Sequence, residues 1–376
     1  MIQFSQQAKG KKMKFSILRS KFLEGLKAVQ GIVGTKSQLQ VLQNVLLEVD
    51  NNKLVMTTTD LEISITSICD CTTIESGKTT LPVKLLFNFI SKVVEGNVEI
   101  AVDENNRATI SAGSANFKLS GIEESAFPRL PVKDENFIYK LPQATLKEML
   151  RQTAYAASQD DTRRTLKGVL MSFKDSKLTM VATDGRRLAM VEQEVEFPKD
   201  SEIDVILPFK AVQELQKSLT SDEEVTVKIE KSQISFSLGS ISIYSKLIDE
   251  KYPNYNQVIP KECNEQIHVD RQLLLDALER ASVITKDETH STKLVFESNC
   301  LTVNSAASDV GEAKDEVPIK YAGEKIEIMF NPDYIMDPLK AIDDDEVTIN
   351  LINGHSPAMI KCSIPFLYVI MPLRAN

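Results

Sequence analysis

Tryptophan is absent from the 376 residues, aromatic residues make up 6%, and histidine occurs three times. A platform of exposed rings for stacking single-stranded bases is therefore not signalled. His268, His290 and His355 are scattered, so a Ser–His–Asp or Cys–His relay would have to be assembled from distant segments. There is no G-x-x-x-x-G-K-[ST], no H-E-x-x-H and no G-x-S-x-G, and Gly31 and Gly34 do not make a G-x-G-x-x-G loop. The five cysteines (Cys69, Cys71, Cys263, Cys300, Cys362) form no pairing or metal-ligand pattern. They read as free thiols of a reducing compartment, and neither a metal nor a cofactor is expected. No apolar run approaches the ~18 residues that span a bilayer. The opening MIQFSQQAKGKK is polar and basic with no apolar leader core, so the expected location is the cytoplasm. With no nucleophile–base pair and no metal constellation, a non-enzyme is expected.

What the chain has instead is repetition. LVMTTTDLEISI opens at Leu54, LTMVATDGRRLAM at Leu178 and LTVNSAASDVGEA at Leu301, spaced 124 and 123 residues apart. GNVEIAV at Gly96, DEEVTVKI at Asp222 and DDEVTINL at Asp344 repeat at a similar interval. IEESAFPRLP and IDEKYPNYNQVIP close the first two units at Pro131 and Pro260. One folded module used three times is implied, in an order of magnitude suited to domain size. Repetition builds a frame; a catalytic centre needs unlike residues brought together once.

Each repeat reads as strand, helix, several strands, helix, several strands. In the first, Phe22, Leu23, Leu26, Val29 and Val33 recur at helical steps, with Ser20 as the expected N-cap. The second helix of each repeat begins at or near Pro82, Pro208 or Pro332, a position proline tolerates. Pro338 predicts a kink or an early stop. Val98, Ile100 and Val102 alternate, as do Val225, Val227 and Ile229, and Val347, Ile349 and Leu351; this is the signature of antiparallel sheet with one buried face. The fold class expected is α+β. Net charge is -9, yet the six helical segments carry eleven Lys and Arg against eight Asp and Glu. The excess of cations lies in repeats one and two, so helices can face a polyanion while strands and loops carry the acid.

These residues resemble a known family. ATDGRRLA at Ala182, the FPRLP and YPNYNQVIP junctions and the closing YVIMPLR at Tyr368, set on the threefold repeat, are similar to the β subunit of bacterial DNA polymerase III, the replicative sliding clamp. The likeness runs from Met13 to Arg374. It implies the DNA-clamp fold, three similar domains at 13–132, 133–258 and 259–376, each with two helices packed on antiparallel sheets, and a head-to-tail dimer ring with helices lining the hole. Residues 1–12 fall outside the family pattern, which begins as Met13-Lys14-Phe15, and are expected to be a disordered extension. The implied function is to encircle double-stranded DNA without reading its sequence and to tether the polymerase, conferring processivity. The implied partners are the DNA polymerase III catalytic subunit, the clamp loader, other proteins with a clamp-binding motif and a second copy of the chain, with no membrane.

The resemblance also assigns residues. A partner-peptide pocket is implied at Leu166, Thr183, Gly185, Arg186, Arg187, Leu188, Pro253, Val258, Asn331, Tyr334, Val369, Ile370, Met371, Pro372 and Arg374. Gln257 and Thr289 depart from the family, which commonly has a basic and an aromatic residue there. DNA-facing cations are implied at Lys36, Arg151, Arg163, Lys210 and Lys217. The dimer contact is implied to join Phe117 and Leu119 of one subunit to Val283 and Ile284 of the other.

Overall fold

The computed structural model describes residues 13–34, 39–129, 137–285, 291–307 and 311–373. Residues 1–12, Lys36, Thr289 and Arg374 lie outside them, as does the expected boundary at 132/133.

The order of elements follows the repeat. The first comprises β1 (Met13–Leu18), α1 (Arg19–Val29), β2 (Asn44–Asp50), β3 (Lys53–Thr59), β4 (Ile63–Asp70), β5 (Thr72–Glu75), β6 (Gly77–Pro82), α2 (Val83–Lys92), β7 (Asn97–Val102), β8 (Arg107–Ala112) and β9 (Ala115–Ser120). The second comprises β10 (Phe137–Pro142), α3 (Gln143–Thr153), β11 (Gly168–Lys174), β12 (Lys177–Thr183), β13 (Arg187–Glu194), β14 (Ile203–Pro208), α4 (Phe209–Ser218), β15 (Glu224–Ile229), β16 (Gln233–Leu238) and β17 (Ile241–Lys246). The third comprises β18 (Glu265–Asp270), α5 (Arg271–Ser282), β19 (Thr292–Glu297), β20 (Cys300–Ala307), β21 (Gly311–Lys320), β22 (Ile326–Phe330), α6 (Pro332–Ala341), β23 (Glu346–Leu351), β24 (Ala358–Lys361) and β25 (Phe366–Ile370).

Two compact units result, and they do not coincide with the repeats. One gathers the chain up to Ala144 with Gln213–Leu247; the other gathers Thr145–Val212 with Ile248 onward. The first holds a sheet ordered β5-β1-β7-β8-β9 and another ordered β10-β15-β16-β17-β4-β3-β2-β6. The second holds one sheet, β14-β11-β12-β13-β25-β24-β23-β18-β21-β20-β19-β22. The last strand of a repeat thus pairs with the third long strand of the repeat before it: β17 with β4, β25 with β13. Every pairing between strands is antiparallel, as the alternation predicts.

Helices supply the core's other layer. Phe22, Leu26 and Val29 of α1 are buried against β3 and β4, and Leu274, Ala277, Leu278 and Ala281 of α5 against β20 and β21. Burying a Leu or Phe side chain contributes roughly 1.5–3 kcal/mol, so these stripes fix the helix orientation. Ser20 is not the cap of α1. The cap position falls on Leu18, and Ser20 sits in the first turn with its amide 3.2 Å from Glu95 Oε1. Arg19 draws the helix start back, because its guanidinium donates to the carbonyls of Ile90 (3.1 Å) and Ser91 (2.8 Å) at the end of α2. Nor does Pro338 stop α6, which runs on to Ala341. The carbonyl that a normal residue 338 would bond, that of Tyr334, accepts instead from the Tyr368 hydroxyl at 2.6 Å.

Candidate partner-binding groove

The turn between β12 and β13 is built by its own side chains. Thr183 Oγ1 donates to the Arg187 carbonyl (2.6 Å) and accepts from the Gly185 amide (3.1 Å). Asp184 Oδ1 accepts from the amides of Arg186 (2.8 Å) and Arg187 (3.0 Å). Gly185 has φ +85, where a side chain is strained, and a Cβ there would come within 3.2 Å of Arg163 Nη1.

Arg187 anchors this turn from beneath. Its guanidinium donates to Asp184 at 3.1 Å, to the Tyr155 carbonyl at 2.7 Å and to Asp337, and lies 4.3 Å from the Tyr334 ring centroid. Burial pushes the Tyr368 phenol up, so it remains a donor to the Tyr334 carbonyl at all ordinary pH. Sequence reasoning missed Tyr155, Asp337 and Tyr368 as supports. Asp337, beside a proline in a helix with few other charges, was the available signal.

Above this base lies an apolar floor. Leu170, Val181, Leu188, Ile206, Met359 and Val369 form one buried cluster, and the segment between repeats two and three lays Ile248, Tyr252, Tyr255 and Ile259 against it. Tyr252 could have been found by matching YP at Tyr252 to FP at Phe127. The cluster does not close over: Val258 is 51% exposed and Met371 45%, beside exposed Pro253. Met371 is held by its amide on the Arg186 carbonyl (2.9 Å), and Leu373 by its amide on the Met329 carbonyl (2.8 Å). Exposed Val258 and Met371 thus flank in sequence Ile259 and Val369 of the apolar floor, an arrangement that suits an apolar ligand.

The structure thus brings together Leu166, Thr183, Gly185, Leu188, Pro253, Val258, Val369 and Met371 in one unit. It gives others supporting roles. Asn331 Oδ1 accepts from the Asp333 amide (2.9 Å) as the N-cap of α6, Ile370 is buried, and Arg187 points its charge away into the base. Arg186 and Gln257 are exposed.

The first repeat contains the same turn with a different outcome. Thr59, Asp60 and Ile63 make the bonds of Thr183, Asp184 and Arg187, and Leu61 stands at φ 79 in the place of Gly185. Its surroundings are zipped by hydroxyls, Thr57 to Thr66 (3.1 Å) and Asn44 to Thr80 (2.9 Å) to the Ile122 carbonyl (2.8 Å). Among the described residues a small apolar cluster lies there, Val41, Leu46 and Phe127 with Ile122 packed against it.

Of the cations assigned to DNA, Arg151 bonds Glu148 (2.7 Å) and Asp343 (2.5 Å), Lys217 bonds Glu214 (2.8 Å), and Arg163 donates to the Asp184 carbonyl (3.0 Å). Lys210 is exposed. Lys27, Lys84, Lys92 and Lys147 are exposed on α1, α2 and α3 and join no ion pair among the described residues. Of the dimer set, Phe117 stacks on Phe89 with centroids 4.7 Å apart, Leu119 is buried, Val283 is 68% exposed and Ile284 half-buried.

Three family models cover nearly the whole chain: DNA polymerase III beta subunit, N-terminal domain over 13–131, central domain over 140–254 and C-terminal domain over 256–374. The chain belongs to the DNA polymerase III beta subunit family. It is 33% identical over 364 residues to the beta sliding clamp of Chlamydia muridarum, covering 97% of this chain and 100% of that one. To the clamp of Pseudomonas aeruginosa it is 31% identical over 367 residues, covering 96% and 100%. Among solved structures, the clamp of Bartonella birtlesii bound to griselimycin matches with TM-score 0.94 at 32% identity, covering 97% of this chain and 100% of that one. That of Pseudomonas aeruginosa bound to griselimycin matches with TM-score 0.93 at 30% identity, with the same coverage. As a DNA polymerase III beta subunit, the chain is a sliding clamp of DNA replication, a processivity factor rather than a catalyst. No described helix is long and apolar enough to cross a membrane.

Proposed function

We propose that two copies of this chain close a ring around duplex DNA in the cytoplasm, and that the groove of Leu188, Val258, Val369 and Met371 docks the polymerase III catalytic subunit, the clamp loader and other partners through short apolar segments. The observation that carries this is the contrast between two equivalent turns. At Gly185 the turn borders an open apolar floor, whereas at Leu61 it borders hydroxyl-bonded polar groups. Apolar ligands gain from the first and not from the second. The flexible Met371 suits several ligands.

The unpaired lysines of α1, α2 and α3 support a DNA-facing role for the helices. Long solvated lysines hold phosphates exchangeably, which sliding requires. Lys36, Arg151, Arg163, Lys210 and Lys217 are the positions carried over from the family. The same reading divides the chain at 132/133 and 258/259, the repeat junctions. Ring closure by Phe117 and Leu119 on Val283 and Ile284 is supported by the outer edge of β9, which pairs with no strand among the described residues, and by the exposed apolar Leu85 beside the Phe89–Phe117 stack.

Retention on circular nicked DNA tests the ring. Loaded protein should stay on the circle and leave once it is linearised; equal retention on both forms overturns the proposal. For the groove, Met371→Asp, at an exposed position, should abolish capture of the catalytic subunit while solution mass stays that of a dimer.

A further inference from the structure

The wall that carries Leu166 is a short segment tied down on two sides. Its base is closed by the Ser158 amide on the Leu166 carbonyl (2.9 Å) and the Leu166 amide on the Arg163 carbonyl (3.0 Å). On one side Arg163 Nη1 donates to the Asp184 carbonyl at 3.0 Å, with Nε 3.6 Å from Asp160. That tie reaches the turn whose Gly185 leaves room for the guanidinium. On the other side the Thr165 hydroxyl donates to the Glu250 carboxylate, in the segment that supplies Tyr252 and Pro253. Leu166 therefore sits between two tethers, one to each neighbouring wall of the groove.

We propose that Arg163 and Glu250 are positioning residues of the groove, exposed tethers that hold the Leu166 wall at a set distance from the Thr183–Arg187 turn and from the Tyr252–Val258 segment. This rests on the groove being the partner site. A ligand entering a wall already ordered loses less entropy than one that must order it, so the tethers act on affinity without touching the ligand. Arg163, carried over above as a DNA-facing position, thereby also has a task in the groove. Arg163 and Glu250 are both solvent-exposed, so their loss leaves the fold and the dimer as they are.

Capture of the polymerase III catalytic subunit, the partner proposed for the groove, serves as the probe on the full-length dimer. Glu250→Ala and Thr165→Val should each weaken it about five- to tenfold, the order of one net hydrogen bond. The double variant should be no weaker than either single one, because both remove the same contact. Glu250→Gln should bind like the wild type, since its amide oxygen accepts the same hydroxyl. Arg163→Ala should weaken binding similarly and Arg163→Lys less. Retention on circular DNA should be unchanged in all of them. Glu250→Ala binding within twofold of wild type, or Glu250→Gln as weak as Glu250→Ala, overturns the inference. Met371→Asp, at an exposed position of the groove, separates the two levels. If it too captures the catalytic subunit normally, the groove reading itself has failed; if it abolishes capture while Glu250→Ala does not, only the tethers have.

Discussion

At Gly185 and Leu61 one backbone conformation is occupied once by the residue that suits it and once by one that does not. A non-glycine residue held there costs on the order of 1–3 kcal/mol. Gly185→Ala should therefore lower stability by about 1–2 kcal/mol, seen as a lower melting temperature, and weaken capture of the catalytic subunit by crowding Arg163. Leu61→Gly should move stability the other way by up to about 1 kcal/mol and leave capture of the catalytic subunit alone. If both changes destabilise equally, strain at the turn is not what distinguishes them. Chemistry at the residue scale is otherwise muted. Burial pushes the Cys362 thiol up to about 11, and Cys69, Cys71 and Cys263 are raised for the same reason. At pH 7.5 the Cys362 thiolate is then roughly one part in three thousand. Iodoacetamide should alkylate Cys362 in the native protein far more slowly than in the denatured one, and comparable rates would contradict its burial.

Helix α6 shows how an element can survive a residue that should break it. Tyr368→Phe removes the hydroxyl from the Tyr334 carbonyl and leaves that acceptor unpaired beside Pro338, at a cost of about 1–3 kcal/mol. The expected readout is a lower melting temperature together with weaker capture of the catalytic subunit, because Tyr334 also faces Arg187 under the groove. Helices and strands were legible from periodicity because the period is set by which face must be buried. Ends were less so: Arg19 reaches α2, 71 residues away in sequence, and no local pattern at Ser20 announces it. The groove was legible only through family likeness. Its floor consists of apolar residues that any core would use, and what distinguishes it is that Val258 and Met371 stay exposed while Ile248, Tyr255 and Ile259 pack on that floor. The tail has the same character. Met371 and Leu373 are stitched to Arg186 and Met329 by backbone bonds, so deletion of Met371–Asn376 should abolish partner capture while the solution mass stays that of a dimer. A monomer would place the tail in the ring contact instead.

At the scale of the whole molecule the repeat supplies its own template for closure. Ile243, third in β17, faces Ile65, and Tyr368, third in β25, faces Ala189. Ile65 and Ala189 each lie four residues before the partner of the repeat's leading leucine, Cys69 opposite Leu54 and Gln193 opposite Leu178. In the third repeat Leu301 faces Val317, so the matching position is Ala313 in β21. The third residue of β9 is Phe117. Beyond Ile319 and Lys320, β21 pairs on one side only among the described residues, and β9 is the outer strand of its sheet. Applied between two copies, the rule sets Phe117 opposite Ala313 and Lys118 opposite Glu312. It also carries Gly31, which lies against Glu214, to Val283 against Asn88, next to Leu85 and Phe89. An opposed cross-strand charge pair contributes roughly 0.2–1 kcal/mol and a like pair is unfavourable by a similar amount. With two such contacts per ring, Lys118→Glu should weaken dimerisation by about thirtyfold, read by sedimentation across concentration. Glu312→Lys should do the same, and the two substitutions together should restore the dimer. Lys27→Glu, an equal change of charge on α1, should leave the mass unaltered. A double variant no tighter than the single ones would mean that the strands meet in another register, and that the repeat's internal pairing does not dictate how the ring shuts.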